Sequence, residues 1–313
     1  MWNCSNPETE CVGRDSGKDQ NFAGSLKSMS NLAAQLRNDL ASRAAEYAQQ
    51  RGIRFRQSHQ EYGSVVFLPD VNEVCHGNFH PASYRAILAR PTWRKRLTKV
   101  LTVNQRLRDF DDDRRLCELD SCCSSDALLM NVFCCPRVRR IPAVLGMLGV
   151  QEGSLPIFGW RARVPLRDGN LDRTEVDMKF GNLLLEAKLT EACFECCPIE
   201  RMRNYAQFDE VFCLNDLPRR RRQYQCYQLL RNVLAANAHQ ASFCLVTDAR
   251  RSDLIESWFG VLAAVRPLDL RTRCKLLTWQ ELARALPRGL KRFLEQKYGI
   301  SAGIDERGAR VGY

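Results

Sequence analysis

The sequence predicts an α/β protein: an αβββαβ core on a mixed sheet, preceded by an N-terminal helical lobe. Three observations lead there. Hydrophobic residues make up 45% and charged residues 27% of the 313 positions, a globular balance with enough apolar side chain to bury a large core. Apolar residues recur at helical spacing through the first half. From residue 157 onward, three consecutive segments alternate or run apolar at strand length. The richest apolar run, residues 141–150, falls short of the roughly 20 residues of a membrane span. A disulfide-held miniprotein, a wholly disordered chain and a helical membrane protein are thereby excluded.

Residues 1–24 are polar and aperiodic and read as a disordered leader. The start MWNCSNPETE shows no basic segment followed by an apolar stretch, so no secretory signal is read and a cytoplasmic location is expected. Leu26, Met29, Leu32, Leu36, Leu40, Ala44 and Tyr47 then mark one face of an amphipathic helix that Gly52 ends. Pro81 and Pro91 sit at the first turns of two further helices, the second carrying Trp93-Arg94-Lys95-Arg96. An accessory helical region is therefore drawn over 25–110, a core over 111–297 and a tail over 298–313. Within the core, 124–135 reads as a helix capped by Ser124 or Ser125, and 141–150 as a short apolar helix. Strands follow at 157–164, 173–180 and 182–189, then a long helix over 221–238 and a strand at 242–247. A helix after Ser252, a strand at 273–278 and a closing helix over 282–296 complete the order.

Lys and Arg number 47 against 36 Asp and Glu, a net charge of +11, which favours polyanionic partners, nucleic acid ahead of an acidic membrane surface. Arg219, Arg220, Arg221 and Arg222, with Arg94 and Lys95, are candidate phosphate contacts; a solvated charged loop is the bland alternative. Trp93 and Tyr224 lie beside basic residues and either stack on unpaired bases or belong to the core. Fifteen cysteines, an odd count in a reducing compartment, read as free thiols. Cys193 and Cys196 form a C-x-x-C without the second pair that a closed zinc site needs. A cysteine-ligated metal or redox protein is thus a minor alternative. His76 and His80 would share a helical face only if Pro81 did not interrupt it. No nucleophile elbow and no phosphate-binding glycine loop occurs.

The informative stretch is residues 173–189, where Gly181-Asn182 reads as a two-residue hairpin turn that sets the register of two strands. Phe180 then faces Leu183, Met178 meets Leu185, Asp177 meets Glu186 and Glu175 meets Lys188. Val176, Met178, Phe180, Leu183, Leu185, Ala187 and Leu189 share an apolar face. Glu175, Asp177, Lys179, Glu186 and Lys188 share the other, where Leu184 is the exception. Opposed carboxylates with Cβ atoms about 5 Å apart destabilise a sheet unless a cation sits between them. Hard oxygen donors suit Mg²⁺ or Mn²⁺, which keep waters and accept phosphate oxygens. Lys188 projects from the same face, placed to orient or help deprotonate an attacking water and to stabilise charge at phosphorus. The bland alternative is a solvated polar sheet face. Three acid-x-Lys triplets occur in the chain, so the triplet by itself says little; its place on the third consecutive strand, after an aspartate-bearing strand, carries the weight.

Thr174-Glu175-Val176-Asp177 followed by Glu186-Ala187-Lys188, in an αβββαβ order, resembles the PD-(D/E)XK nuclease superfamily with its restriction-endonuclease-like fold. Residues 124–133, Tyr227-Gln228-Leu229-Leu230-Arg231-Asn232 and Lys188-Leu189-Thr190-Glu191 resemble a bacterial restriction-endonuclease-like branch, and the likeness spans about residues 115–250. The proline of the superfamily's name is absent here. The resemblance implies metal ligation by Asp177 and Glu186, with Asp126 as a further acid from the first core helix. It also implies Lys188 as the catalytic lysine and Gln228 as a helix-borne active-site residue. The expectation is a Mg²⁺- or Mn²⁺-dependent deoxyribonuclease, an endonuclease acting in defence against foreign DNA or in DNA processing. RNA stays open as substrate, and so do a homodimer and an activating partner protein. A catalytically silent nucleic-acid-binding module of the same fold is the alternative.

Overall fold

The computed structural model describes residues 18–58, 64–68, 74–99 and 117–301, with side chains from residue 31 onward. Helix α1 (Lys18–Gln49) leads, followed by α2 (Pro81–Leu88), α3 (Ser125–Phe133) and α4 (Pro142–Leu148). Strands β1 (Pro156–Arg161), β2 (Glu175–Phe180) and β3 (Leu183–Ala187) come next, then α5 (Tyr227–Ala238), β4 (Ser242–Thr247) and α6 (Ser252–Ala263). Strand β5 (Cys274–Thr278), α7 (Trp279–Ala285) and α8 (Arg288–Tyr298) close the chain.

Gly181, at φ +58°, supplies the left-handed turn residue that folds β2 back on β3. The register is the expected one: Phe180 pairs with Leu183 and Met178 with Leu185. β1 adds antiparallel to β2, whereas β4 pairs parallel to both β3 and β5, giving a five-stranded mixed sheet in the order β5-β4-β3-β2-β1. This is the αβββαβ core of a restriction-endonuclease-like fold, extended by β5 and its helices.

Helices cover both faces of the sheet. Leu184, Phe243 and Leu245 pack with α5 and α6, while Met178, Leu185, Cys244 and Val246 pack with α1, α3, α4 and the two C-terminal helices. Leu184 is therefore no exception on a polar face. A strand with a parallel neighbour is buried on both sides, and β3 is buried at all five positions. Val176 also packs on the α5 side, away from Met178. Helix α1 joins this core directly, with Tyr47 edge-on to Phe293 at 5.7 Å.

Several expected boundaries are corrected. α1 begins at Lys18, so residues 18–24 of the expected leader are helical; residues 1–17 lie outside the described part, as do 302–313 of the expected tail, 59–63, 69–73 and 100–110 of the accessory region and 111–116 of the expected core. The expected helix over 221–238 starts only at Tyr227, because Arg221 (φ +51°) and Cys226 (φ +59°) take left-handed conformations that no helix propagates. Ahead of it, Arg219–Arg220 and Gln223–Gln225 form a hairpin. The closing helix is two helices, since Pro287 forces Leu286 into an extended conformation (ψ 157°). Ser124 caps α3 by accepting the Ala127 N–H. Among the described residues, no helix is long and apolar enough to cross a membrane.

Candidate active site

The β2–β3 ladder ends at Met178 and Leu185. Continued by one residue, its register sets Asp177 across from Glu186, and here the strands part. Asp177 Oδ2 accepts the Ala187 N–H at 2.8 Å, while the next amide, Lys188 N–H, turns to Val246 O of β4 at 2.9 Å. The expected pair of Glu175 with Lys188 is consequently not made. Lys188 Nζ instead donates to Glu186 Oε1 at 2.7 Å, and Asn232 of α5 donates to Glu186 Oε2 at 2.7 Å. Arg231 holds the Asn232 amide oxygen at 3.2 Å through Nε and reaches Glu175 O at 3.0 Å through Nη2. Glu186 is 2% and Lys188 5% exposed, so both charges depend on these partners.

The electrostatics follow from that crowding. Surrounding protein, then the charges of Glu186 and Asp126, push the Asp177 carboxyl well above the usual carboxylate range. Burial works against charge on Lys188, yet Glu186, Glu191 and Asp177 outweigh it and hold its ammonium above the usual lysine range. Lys188 is therefore a charged donor.

Asp126, at the first turn of α3, stands beside this pair but is held by cations. Arg96 Nη2 lies 2.7 Å and Lys99 Nζ 3.1 Å from its Oδ2. Arg96 Nη1 also reaches Glu175 Oε2 at 3.2 Å, and Lys99 reaches Glu118 at 2.8 Å. Glu191 braces the end of β3, accepting from Leu189 N and Ser125 Oγ.

A family model described as Restriction Endonuclease associating with ARP (REase-ARP) matches residues 40–299, which include every residue of this cluster. The chain belongs to that family. Neither the curated proteins nor the solved structures hold a match. The REase-ARP assignment agrees with the restriction-endonuclease-like core.

Within this REase-ARP chain, the expected site residues fall into two groups. Asp177, Glu186 and Lys188 come together, and Asp126 joins them only through its charge. Among the described residues, no three or more His, Cys, Asp or Glu side chains are grouped to hold a metal. Asp177 and Glu186 offer hard carboxylate oxygens, the donor chemistry that Mg²⁺ or Mn²⁺ would take, with water completing the shell. Gln228 is not bonded to these carboxylates. Its Nε2 lies 3.5 Å from Glu195, and its Oε1 is buried without a donor. Asn232, one helical turn on from Gln228, makes the contact, and the i, i+4 relation on an amphipathic helix was the signal for it.

The basic candidates lie outside the cluster. Arg219, Arg220, Arg221 and Arg222 are all exposed on the hairpin before α5, and Arg94 and Lys95 are exposed just before Arg96. Trp93 and Tyr224 belong to the core, 4% and 2% exposed, with Trp93 Nε1 bonded to Pro156 O. Every described cysteine is a free thiol, including the exposed Cys193 and Cys196. His76 bonds Asp120 and precedes the helix that His80 caps.

Proposed function

We propose that this protein is a PD-(D/E)XK-type deoxyribonuclease that hydrolyses DNA phosphodiester bonds with Mg²⁺ or Mn²⁺. The observation that carries the reading is the buried Glu186–Lys188 ion pair at the parting of β2 and β3, with Asp177 alongside. Asp177 and Glu186 would hold the cation, which supplies Lewis-acid activation of water and of the phosphoryl oxygens. The chain's own residues do the rest. Asn232 and Lys188 fix the two Glu186 oxygens, one donor on each, so the carboxylate cannot rotate away. Lys188 keeps its proton and offers positive charge to oxygens that gain negative charge at phosphorus. The exposed hairpin of Arg219, Arg220, Arg221 and Arg222, together with Arg94 and Lys95, supplies backbone contacts to DNA, in keeping with the +11 charge.

The partners under this reading are DNA and the ARP of the family description, in the cytoplasm, in defence against foreign DNA or in DNA processing. Its test is incubation of supercoiled plasmid, linear duplex, single-stranded DNA and RNA with the protein in Mg²⁺, Mn²⁺ or EDTA, alongside Asp177→Asn and Lys188→Met. Cutting of DNA that disappears in EDTA and in both folded variants supports the reading. A wild type that binds DNA without cutting it, with or without ARP, hands the protein to the silent binding-module alternative.

A further inference from the structure

Cations and carboxylates interleave at the site: Arg96, Lys99, Lys188 and, at the rim, Arg161 stand among Glu118, Asp126, Glu175, Asp177, Glu186 and Glu191. Carboxylates that attract a divalent cation repel the phosphodiester that must follow. A fixed positive group that still has donors to give would resolve the conflict. Lys188 is buried and committed to Glu186, and Lys99 is shared between Glu118 and Asp126. Arg96 is different in three respects.

The first is placement. In the β1–β2 ladder, Phe158 pairs with Met178 and Trp160 with Val176, so Gly159 falls across from Asp177 on the side away from Glu186. Gly159 has φ +62°, and a methyl group there would overlap Arg96 Nη1 and press on Glu175 Oε2. The missing side chain is the space that the guanidinium fills, against Glu175 on the strand that carries Asp177. The second is orientation. Asp126 on α3 and Glu175 on β2 grip the guanidinium from two separate elements, which removes the ordering cost that a free arginine meets on binding an anion. The third is capacity. A guanidinium has five N–H donors. Asp126 and Glu175 take one each, which leaves one N–H on each Nη uncommitted, while Nε–H is buried without an acceptor. The side chain remains 14% exposed.

We infer that Arg96 is a phosphate-binding residue of this site, docked by Asp126 and Glu175 so that its remaining N–H edge meets a non-bridging oxygen of the scissile phosphodiester beside Asp177. The assignment rests on the nuclease reading and deepens it by naming the group that admits the anion. Arg94 and Lys95, exposed on the same segment, would guide the flanking backbone.

The test is binding of a short DNA duplex in EDTA over a range of salt concentrations, with wild type, Arg96→Ala and Arg96→Lys, each checked for folding by circular dichroism. Loss of one phosphate contact lowers the slope of log K against log salt by about 0.9, a readout that a purely structural counter-ion would not move. Arg96→Ala is expected to show that drop, and in Mg²⁺ a fall in kcat/KM on the order of a hundredfold. Arg96→Lys keeps one charge and so keeps the slope, but it loses the planar fork and cleaves with a reduced kcat/KM. An unchanged slope in folded Arg96→Ala, or tighter binding and faster cleavage, overturns the inference and makes the guanidinium a structural counter-ion or a plug. If Arg96→Ala does not fold, Arg96→Lys decides: wild-type kcat/KM there also overturns it. A wild type that binds no DNA at any salt is a separate result, which removes the nuclease reading itself.

Discussion

Asn232 Nδ2 donates to Glu186 Oε2 at 2.7 Å, tying the middle of helix α5 to the end of strand β3. The same amide's oxygen accepts from Arg231, so one fully buried side chain orients a carboxylate and satisfies a guanidinium. Asn232→Ala leaves both groups short of a partner. Expected is a loss of stability of about 1–3 kcal/mol and, in Mg²⁺, a loss of cleavage of about 10- to 100-fold. Chemical denaturation and plasmid cleavage measure the two effects separately.

Asp177 gives a pH signature. Its carboxyl titrates above the usual range in the folded chain because surrounding protein and Glu186 disfavour its charge. The folded state then holds a proton that the unfolded state has released. Without metal, stability should fall as pH rises from the ordinary aspartate value of about 3.9 through the raised native value, by on the order of 1 kcal/mol per pH unit. Asp177→Asn should remove that slope and be the more stable protein at neutral pH, yet be inactive. Thermal melts of both proteins from about pH 4 to about pH 8 would reveal whether the slopes differ; identical slopes would refute the assignment.

The Glu186–Lys188 pair should show strong coupling. Lys188→Met removes the cation from a carboxylate that is 2% exposed, with an expected cost of about 3–5 kcal/mol. The double variant Glu186→Gln with Lys188→Met removes both charges of the pair and should recover much of that loss. A double-mutant cycle in urea gives the coupling, and additive single effects would contradict the ion pair.

Lys297 lies away from the site and makes a cleaner pH test. It is fully buried, donates to Asn78 and to Tyr298 Oη, and sits 4.1 Å from the Tyr298 ring centre. Burial pulls its ammonium down to about 7, with Cys122 and Cys123 opposing. The unfolded chain keeps the proton to about 10.4, so the destabilising contribution is fully present below about 7 and is relieved as pH rises from there. Lys297→Met should match or exceed wild-type stability at neutral pH, with the difference shrinking or reversing toward alkaline pH. Subtracting the two melting profiles isolates Lys297 from the neighbouring thiols and Tyr298; parallel profiles would exclude it as the titrating group.

The β2–β3 hairpin was legible in the sequence because its information is local. A glycine turn and a period of two set which residues face one another, and Met178–Leu185 and Phe180–Leu183 pair as expected. The helix starts at Ser124, Pro81 and Pro91 are local for the same reason: a cap or a proline acts within one turn. The helix breaks at Arg221 and Cys226 were not legible, since neither residue type prefers a left-handed backbone and only packing imposes it. The apolar period continues across Pro287, so periodicity reads one helix where the proline makes two.

The sequence by itself determined the αβββαβ order, the register of the hairpin next to its turn and the approach of Asp177, Glu186 and Lys188, because hydrophobic period and turn chemistry act over a few residues. Tertiary structure decided what those charges do. The parting of β2 from β3 gave Lys188 to Glu186 rather than Glu175, and α5 brought Asn232 rather than Gln228 to the carboxylate. A segment some 30 residues away in the chain brought Arg96 to Asp126. Ion pairs and hydrogen bonds between buried groups depend on distances of a few tenths of an ångström between elements remote in sequence, and periodicity carries no such distances.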